Sequence, residues 1–171
     1  MDVIASLQNQ IVHAHRLVDA TMEGITDEQF SWMPPGTVNP IQAAFIHTVA
    51  GEDFFIQGIL QGKSRLWETQ CWGAKIGLEQ PPGRGGDWAA VKNCALSLGP
   101  MLEYQTEVRA ATDSYLAALD PAELGKPANF PGYPRPVTVG DVLVILAGHI
   151  AFHAGEISAV KGVQGAKGLP Y

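Results

Sequence analysis

Four segments of the chain repeat apolar residues at intervals of three, four or seven, and connections rich in Pro or Gly separate them. This spacing puts the apolar side chains on one face of a helix, whereas a half-buried strand alternates apolar and polar residues. No segment shows a convincing alternation of that kind. Because the connection between the second and third segments is long, the pattern predicts an all-α four-helix bundle with one long crossover connection.

Terminal residues set the expected bounds of the second and third helices. Asn39 is a good N-cap and Pro40 suits the first helical position, so the second helix should begin there and run to about Gln61. Pro100 suits the first turn of the third helix, and Asp120 with the proline after it should end that helix.

The fourth helix has the clearest start signal. Thr138 and Asp141 resemble a capping box, with Asp in place of the usual Glu or Gln. The helix is therefore predicted from about Val139 to Val163. Four prolines between residues 127 and 136 predict a rigid connection before it rather than a strand.

Length and charge limit the domain organisation and the partners. A chain of 171 residues is expected to form one domain, residues 1–171, with a core large enough to be stable without disulfide bonds. Its net charge of −6 and its lack of a basic run predict that it binds no nucleic acid. Charged residues make up only 16% of the chain, so the five histidines become its most informative polar residues.

The sequence also predicts a cytoplasmic protein that does not enter the membrane. The longest uninterrupted apolar stretch, residues 142–148, is too short to span a bilayer. The first ten residues lack the basic and apolar regions of a signal peptide. Cys71 and Cys94 are therefore expected to be free thiols, and their spacing matches no zinc or redox motif.

Two histidines on the predicted fourth helix lie four residues apart. This spacing puts His149 and His153 on one helix face, where both imidazoles can bind one metal ion. Val142 and Leu146 share the face, so it should point into the bundle, where polar groups need partners. Glu156 lies one turn beyond His153 and can orient a ligand or accept a proton, which makes it the predicted catalytic residue.

His47 is the predicted third ligand, since it lies in the middle of the second helix among small residues. Three neutral imidazoles and a water give the open coordination of catalytic zinc sites, and nickel, iron, cobalt or copper accept the same ligands. Histidines four apart also occur without a metal, as core or surface residues with hydrogen-bond partners, so that alternative stays open. His15, at the edge of the first helix's apolar stripe, is a further candidate for lining the site.

The segments around these histidines resemble the DinB/YfiT-like family of metalloenzymes. The run GHIAFHAGEI at 148–157 is similar to the family's last-helix signature, H-x-x-x-H followed by x-G-Q, and the segment Ile46-His47-Thr48 is similar to its first metal histidine. WMPPG at 32–36 and ATDSYL at 111–116 are also similar to family segments. The resemblance therefore spans nearly the whole chain.

The resemblance implies a four-helix bundle in which His47, His149 and His153 hold a divalent metal, zinc or nickel first and iron as a further candidate. It also implies a homodimer. Characterised relatives include S-transferases that use mycothiol, bacillithiol or glutathione, and maleylpyruvate isomerases. A small-molecule substrate and a low-molecular-weight thiol cofactor are therefore expected.

One departure from the family pattern lies beside the predicted metal site. Glu156 stands where Gln is usual, and its negative charge near the metal weakens a direct transfer of thiol-transferase activity. Residues 62–99 match no family motif, and substrate specificity is expected there.

Three functions remain compatible with the sequence. The first is a metal-dependent enzyme that acts on a small molecule, with thiol S-transfer as the leading reaction. The second is a metal-binding or stress-related interaction protein without turnover, whose metal is closed off by a fourth protein ligand. The third is a structural helical domain whose histidines are satisfied by hydrogen bonds.

Overall fold

Helices account for nearly all of the regular structure in the computed structural model, which describes residues 2–83, 88–92, 94 and 96–169. The α-helices are α1 Val3–Met22, α2 Asp27–Ser31, α3 Ile41–Asp53, α4 Leu66–Thr69, α5 Trp72–Ile76, α6 Ala89–Lys92, α7 Leu98–Ala117 and α8 Val139–Val163. A π-helical segment, Phe54–Leu60, continues α3, a 3₁₀ turn spans Pro121–Glu123, and two short strands are β1 Pro127–Ala128 and β2 Val137–Thr138.

The long helices α1, α3, α7 and α8 form the four-helix bundle that the sequence predicts. α8 packs along both α1 and α3, and α3 packs against α7. Their apolar faces meet in one core that includes Ile11, Phe45, Tyr104 and Ile157. The connection from α3 to α7 contains the short helices α4, α5 and α6, so it is the expected long crossover.

The start of α3 differs from the prediction, whereas its end agrees closely. Pro40 occupies the N-cap position, and no side chain caps the helix. The prediction that Asn39 caps α3 is therefore wrong, because the Asn39 Nδ2 group donates instead to Glu156 Oε1 at 3.2 Å. The π-helical continuation ends at Leu60, one residue before the expected end.

The start of α8 is fixed by side chains and by a short strand pair. Thr138 Oγ1 accepts from the Asp141 backbone N–H at 3.2 Å, and Asp141 Oδ2 accepts from the Thr138 N–H at 2.9 Å, which confirms the capping box. Pro127 pairs with Thr138 and Ala128 with Val137 in an antiparallel ladder. The prediction of a connection without strands is therefore wrong at Pro127 and Ala128. The prolines at 131, 134 and 136 lie in the loop between the two strands, so they remove no hydrogen-bond donor from the ladder.

A buried polar cluster joins α1, α3 and α7. His15 Nε2 lies 3.0 Å from both carboxylate oxygens of Glu52, and Thr112 Oγ1 donates to Glu52 Oε1 at 2.6 Å. All three side chains are buried. His15, a sequence candidate for lining the site, therefore hydrogen-bonds within the helix packing.

α8 is the one helix of the described ranges that is long and apolar enough to cross a membrane by length and composition. The core helix of a bundle passes the same test. α8 buries Val142, Leu143 and Ile150, and it packs on α1 and α3. Packing against α1 and α3 therefore accounts for the buried part of this apolar helix.

Candidate metal centre

The three histidines predicted as metal ligands come together between α3 and α8. His47, His149 and His153 each offer a ring nitrogen that lies within 4.8 Å of those of the other two. His47 Nε2 and His149 Nε2 are 3.1 Å apart. Two nitrogens bound tetrahedrally to one zinc ion at about 2.0–2.1 Å lie about 3.3 Å apart. This pair is therefore spaced like two ligands of one ion, and the all-imidazole donor set fits a divalent metal.

His47 is oriented by the crossover connection. Its Nδ1–H donates to the Pro82 carbonyl at 2.9 Å, which leaves Nε2 unprotonated and turned toward the other rings. The Trp88 ring lies against the imidazole with the ring centroids 4.7 Å apart. Burial lowers the pKa of His47, the Pro82 bond opposes this shift, and His153 lowers the pKa further. His47 is thus a neutral donor at neutral pH.

His153 is oriented from the opposite side of its ring by a carboxylate. Its Nδ1–H donates to Glu156 Oε2 at 2.7 Å, and Glu156 also accepts from Asn39 at 3.2 Å. The bond from His153 is the largest cause of a lowered pKa of Glu156. An ionised Glu156 therefore fixes the tautomer of His153 that leaves Nε2 free to bind a metal.

His149 is the least satisfied of the three rings. Its Nδ1 atom is buried and has no hydrogen-bond partner within the described part of the chain. Burial, followed by the neighbouring His153 and His47, lowers the pKa of His149 to about 3, so this ring is also neutral. Gly51 makes room for it, since a Cβ atom at position 51 would lie 2.7 Å from His149 Cε1.

A cavity of about 520 Å³ adjoins the centre, and His47 and His149 form part of its wall. Its other lining side chains, where the structure describes them, are mostly apolar or aromatic, with Arg65 as the one Lys or Arg and with no carboxylate. Glu156 lies outside this lining, on a separate shallow surface beside His153. Among the residues that the structure describes, the cavity wall therefore carries one formally charged side chain, and the cavity reaches two of the three ligand candidates.

Substrate specificity is expected in residues 62–99, and part of the cavity wall comes from that region, but sequence reasoning singled out neither Arg65 nor the Pro-rich connection before α8 as part of the wall. The crossover connection contributes Arg65 and Trp88, and the Pro-rich connection before α8 contributes Phe130 and Tyr133. The clustering of aromatic residues with prolines at 130–134 was the available signal for the second group. The small residues around His47 were noticed, but Gly51 accommodates His149 rather than His47.

Comparisons with known proteins agree with this fold. A solved structure described as a conserved protein of locus from Enterococcus faecalis is similar, with a TM-score of 0.80 and 23% sequence identity over 96% of this chain and 99% of that chain. At that identity the likeness concerns the fold alone. No curated protein matches the chain. The protein-family model of the DinB superfamily matches residues 10–157, a range that includes His47, His149 and His153. The chain therefore belongs to the DinB superfamily.

Proposed function

We propose that this protein is a metal-dependent enzyme that acts on a small molecule, with His47, His149 and His153 as the ligands of a divalent metal. One observation carries the proposal: two of these three histidines also line a cavity of about 520 Å³. A cavity of that size accommodates a small organic molecule. A metal held only for stability would have no need of such access.

The chemistry of the cavity wall favours a thiol as the nucleophile. No carboxylate lines the cavity in the described ranges, so a general base is missing from the side where a substrate would sit. A divalent metal held by the three histidines would lower the pKa of a thiol, so that the thiol proton passes to water without a protein base; the thiolate would then form a C–S bond to the acceptor as the acceptor's leaving group departs. The DinB resemblance includes thiol S-transferases among its characterised relatives, whereas Glu156 departs from their pattern, and the free cysteines Cys71 and Cys94 agree with a reducing compartment where low-molecular-weight thiols stay reduced.

Glu156, predicted as catalytic, is better assigned as a positioning residue. Its carboxylate contacts the outer nitrogen of His153 and lies away from the cavity. Carboxylates that accept from a metal-binding histidine orient the ring and raise its basicity. Glu156 therefore acts on the metal through His153 in this proposal.

A metal-binding or stress-related interaction protein without turnover is the second candidate, and the outer face of α8 offers a surface for a protein contact under either candidate. Val144, Phe152 and Val163 are exposed there, with Phe152 at 73%. We propose that this face joins two copies of the chain in a homodimer, because Phe152 is a large and strongly exposed apolar side chain and the family resemblance implies a homodimer. Phe152→Lys should then yield a monomer in sedimentation, whereas an unchanged oligomeric state would argue against a contact through this face.

Elemental analysis of the purified protein tests the metal proposal. We expect about one divalent ion per chain in the native protein. His47→Ala should lose it, and His13→Ala is the matched control because His13 is exposed on α1. The proposal would be wrong if the native protein contained no divalent metal and bound neither zinc nor nickel in a titration.

A turnover assay separates the enzyme from the binding protein. Glutathione, bacillithiol and mycothiol are each offered with an electrophilic aromatic acceptor, and S-transfer is followed with metal-loaded and metal-stripped protein. Transfer that requires the metal supports the enzyme. Tight metal binding without transfer from any of the three thiols favours the second candidate.

A further inference from the structure

Arg65 places a positive charge on the cavity wall, whose other described side chains are mostly apolar or aromatic. It is the one Lys or Arg among the described residues that line the cavity, which it shares with His47 and His149. Its side chain is 25% exposed, so it is largely withdrawn from solvent. A partly buried guanidinium is favourable where anions pair with it, and Glu68 is one such partner.

The backbone that carries Arg65 is held by a buried carboxylate. Asp53 accepts from the N–H groups of Leu66 and Trp67, each at 3.0 Å, and Tyr104 donates its hydroxyl to Asp53 at 2.7 Å. Asp53 and Tyr104 are both buried. The start of α4 is therefore anchored to α3 and α7, and the position of Arg65 is set before any ligand binds.

The existing partner of Arg65 leaves part of the guanidinium available. Arg65 donates Nε and Nη2 to a single oxygen of Glu68, whose side chain is 43% exposed and outside the cavity lining. A guanidinium has five N–H donors, so the Nη1 donors remain for a ligand. Because the Glu68 carboxylate is 43% exposed, solvent screens this ion pair, and an anion inside the cavity can compete for the guanidinium.

The rest of the wall suits a flat apolar group. Phe130 stacks on Tyr133 with centroids 4.8 Å apart and planes at 26°, and Phe55 meets Phe130 edge to face at 5.2 Å. Trp88 covers the side next to His47. Aromatic walls of this kind favour planar ligands through offset stacking and edge contacts.

We infer that the cavity binds a small molecule that has an aromatic body and one carboxylate, with Arg65 as the residue that selects the carboxylate. The inference deepens the proposed function, because it assigns the substrate class of that same cavity. A carboxylate is preferred over a phosphate, since one guanidinium matches one carboxylate as a fork, whereas phosphate sites combine several donors or cations. Trp88, Phe55 and Phe130 then hold the body beside the histidines.

Binding to metal-stripped protein tests this inference. The probes are benzoate and 3-phenylpropionate, each paired with its neutral amide, and calorimetry or ligand-observed NMR gives their affinities. Without metal, a carboxylate cannot gain affinity by coordination, so the result does not depend on whether the metal proposal holds. We expect both carboxylates to bind at least about tenfold more tightly than their amides.

Variants of two arginines complete the design. Arg65→Gln should remove the preference for the carboxylate, and Arg65→Lys should keep part of it, because the charge stays while the fork is lost. Arg135→Gln is the control, since Arg135 lies near Tyr133 but outside the cavity lining, and it should keep the full preference. Equal binding of carboxylates and amides, or a preference that survives in a folded Arg65→Gln variant, would overturn the inference.

Discussion

Gly51→Ala should weaken metal binding without unfolding the protein. Gly51 lies on α3, and its missing side chain leaves room for the ring of His149 on α8. A Cβ atom there would lie 2.7 Å from His149 Cε1 and 3.4 Å from each ring nitrogen. Carbon atoms pack best at about 3.5–4.0 Å, so the ring would have to retreat by roughly 0.8 Å.

This displacement exceeds what a metal site tolerates. Ligand atoms must keep their distance from the metal to within about 0.2 Å. Changes that misorient a ligand histidine cost about 10- to 100-fold in metal affinity, so we expect a loss of at least about tenfold, or 1.4 kcal/mol. The same substitution favours the helix by about 0.5–1 kcal/mol, because alanine loses less conformational freedom than glycine on folding.

A competition titration with a chromophoric chelator measures the affinity for zinc and nickel, and urea unfolding measures the stability of the metal-free protein. Gly148→Ala is the matched control: Gly148 precedes His149 on α8, and a Cβ atom at this position meets nothing within 4 Å. The control should bind metal as the unmodified protein does. Unchanged affinity in Gly51→Ala, or an equal loss in both variants, would refute the reasoning.

Three further outcomes are expected from the contacts around the centre and the bundle. Glu156→Ala should lower metal affinity by about 10- to 100-fold, because His153 loses the carboxylate that orients its ring. Glu156→Gln keeps an acceptor oxygen and should retain most of the affinity in the same titration. Equal losses in the two variants would contradict a positioning role for Glu156. The pKa of His149 is lowered to about 3, so the unfolded chain binds more protons than the metal-free folded chain between pH 6.5 and 3. The contribution of His149 to stability is therefore full above pH 6.5 and falls by up to about 1.4 kcal/mol per pH unit below it. His149→Gln should flatten this fall in urea unfolding, and an equally steep fall in the variant would contradict the prediction. Lys161→Met should lower the free energy of unfolding by about 2–3 kcal/mol, because the buried ammonium donates to two carbonyls at the end of α1. Lys167→Met is the exposed control and should change it hardly at all. Equal effects of the two substitutions would contradict a stabilising role for the Lys161 hydrogen bonds.

The sequence predicted those parts of the structure that depend on neighbours along the chain. The bounds of α8 follow from the capping box at Thr138 and from a helical repeat, and both signals are local. The pairing of His149 with His153 follows from the same helix. The meeting of these two with His47 needed the packing of α3 on α8, for which the small residues of α3 were the available sign.

The cavity wall could not be predicted in the same way. The crossover follows its path because Asp53 accepts from two N–H groups thirteen and fourteen residues further on, a contact that no local pattern specifies. Arg65 and Trp88 reach the cavity only through that path. The β1–β2 ladder likewise joins residues on either side of a Pro-rich loop, where strand propensity is low.

Several departures from local rules lie beside the three histidines, and they bear on the alternative of a purely structural domain. Asn39 leaves α3 without a side-chain cap and bonds Glu156, the partner of His153. α3 continues as a π-helix, a form that occurs frequently at functional sites. A buried histidine nitrogen that serves packing alone has a hydrogen-bond partner, as His15 Nε2 has in Glu52, whereas His149 Nδ1 is buried without one among the described residues. Proteins accept such local costs mainly where a site requires them, so the arrangement favours a ligand-binding centre over a structural one.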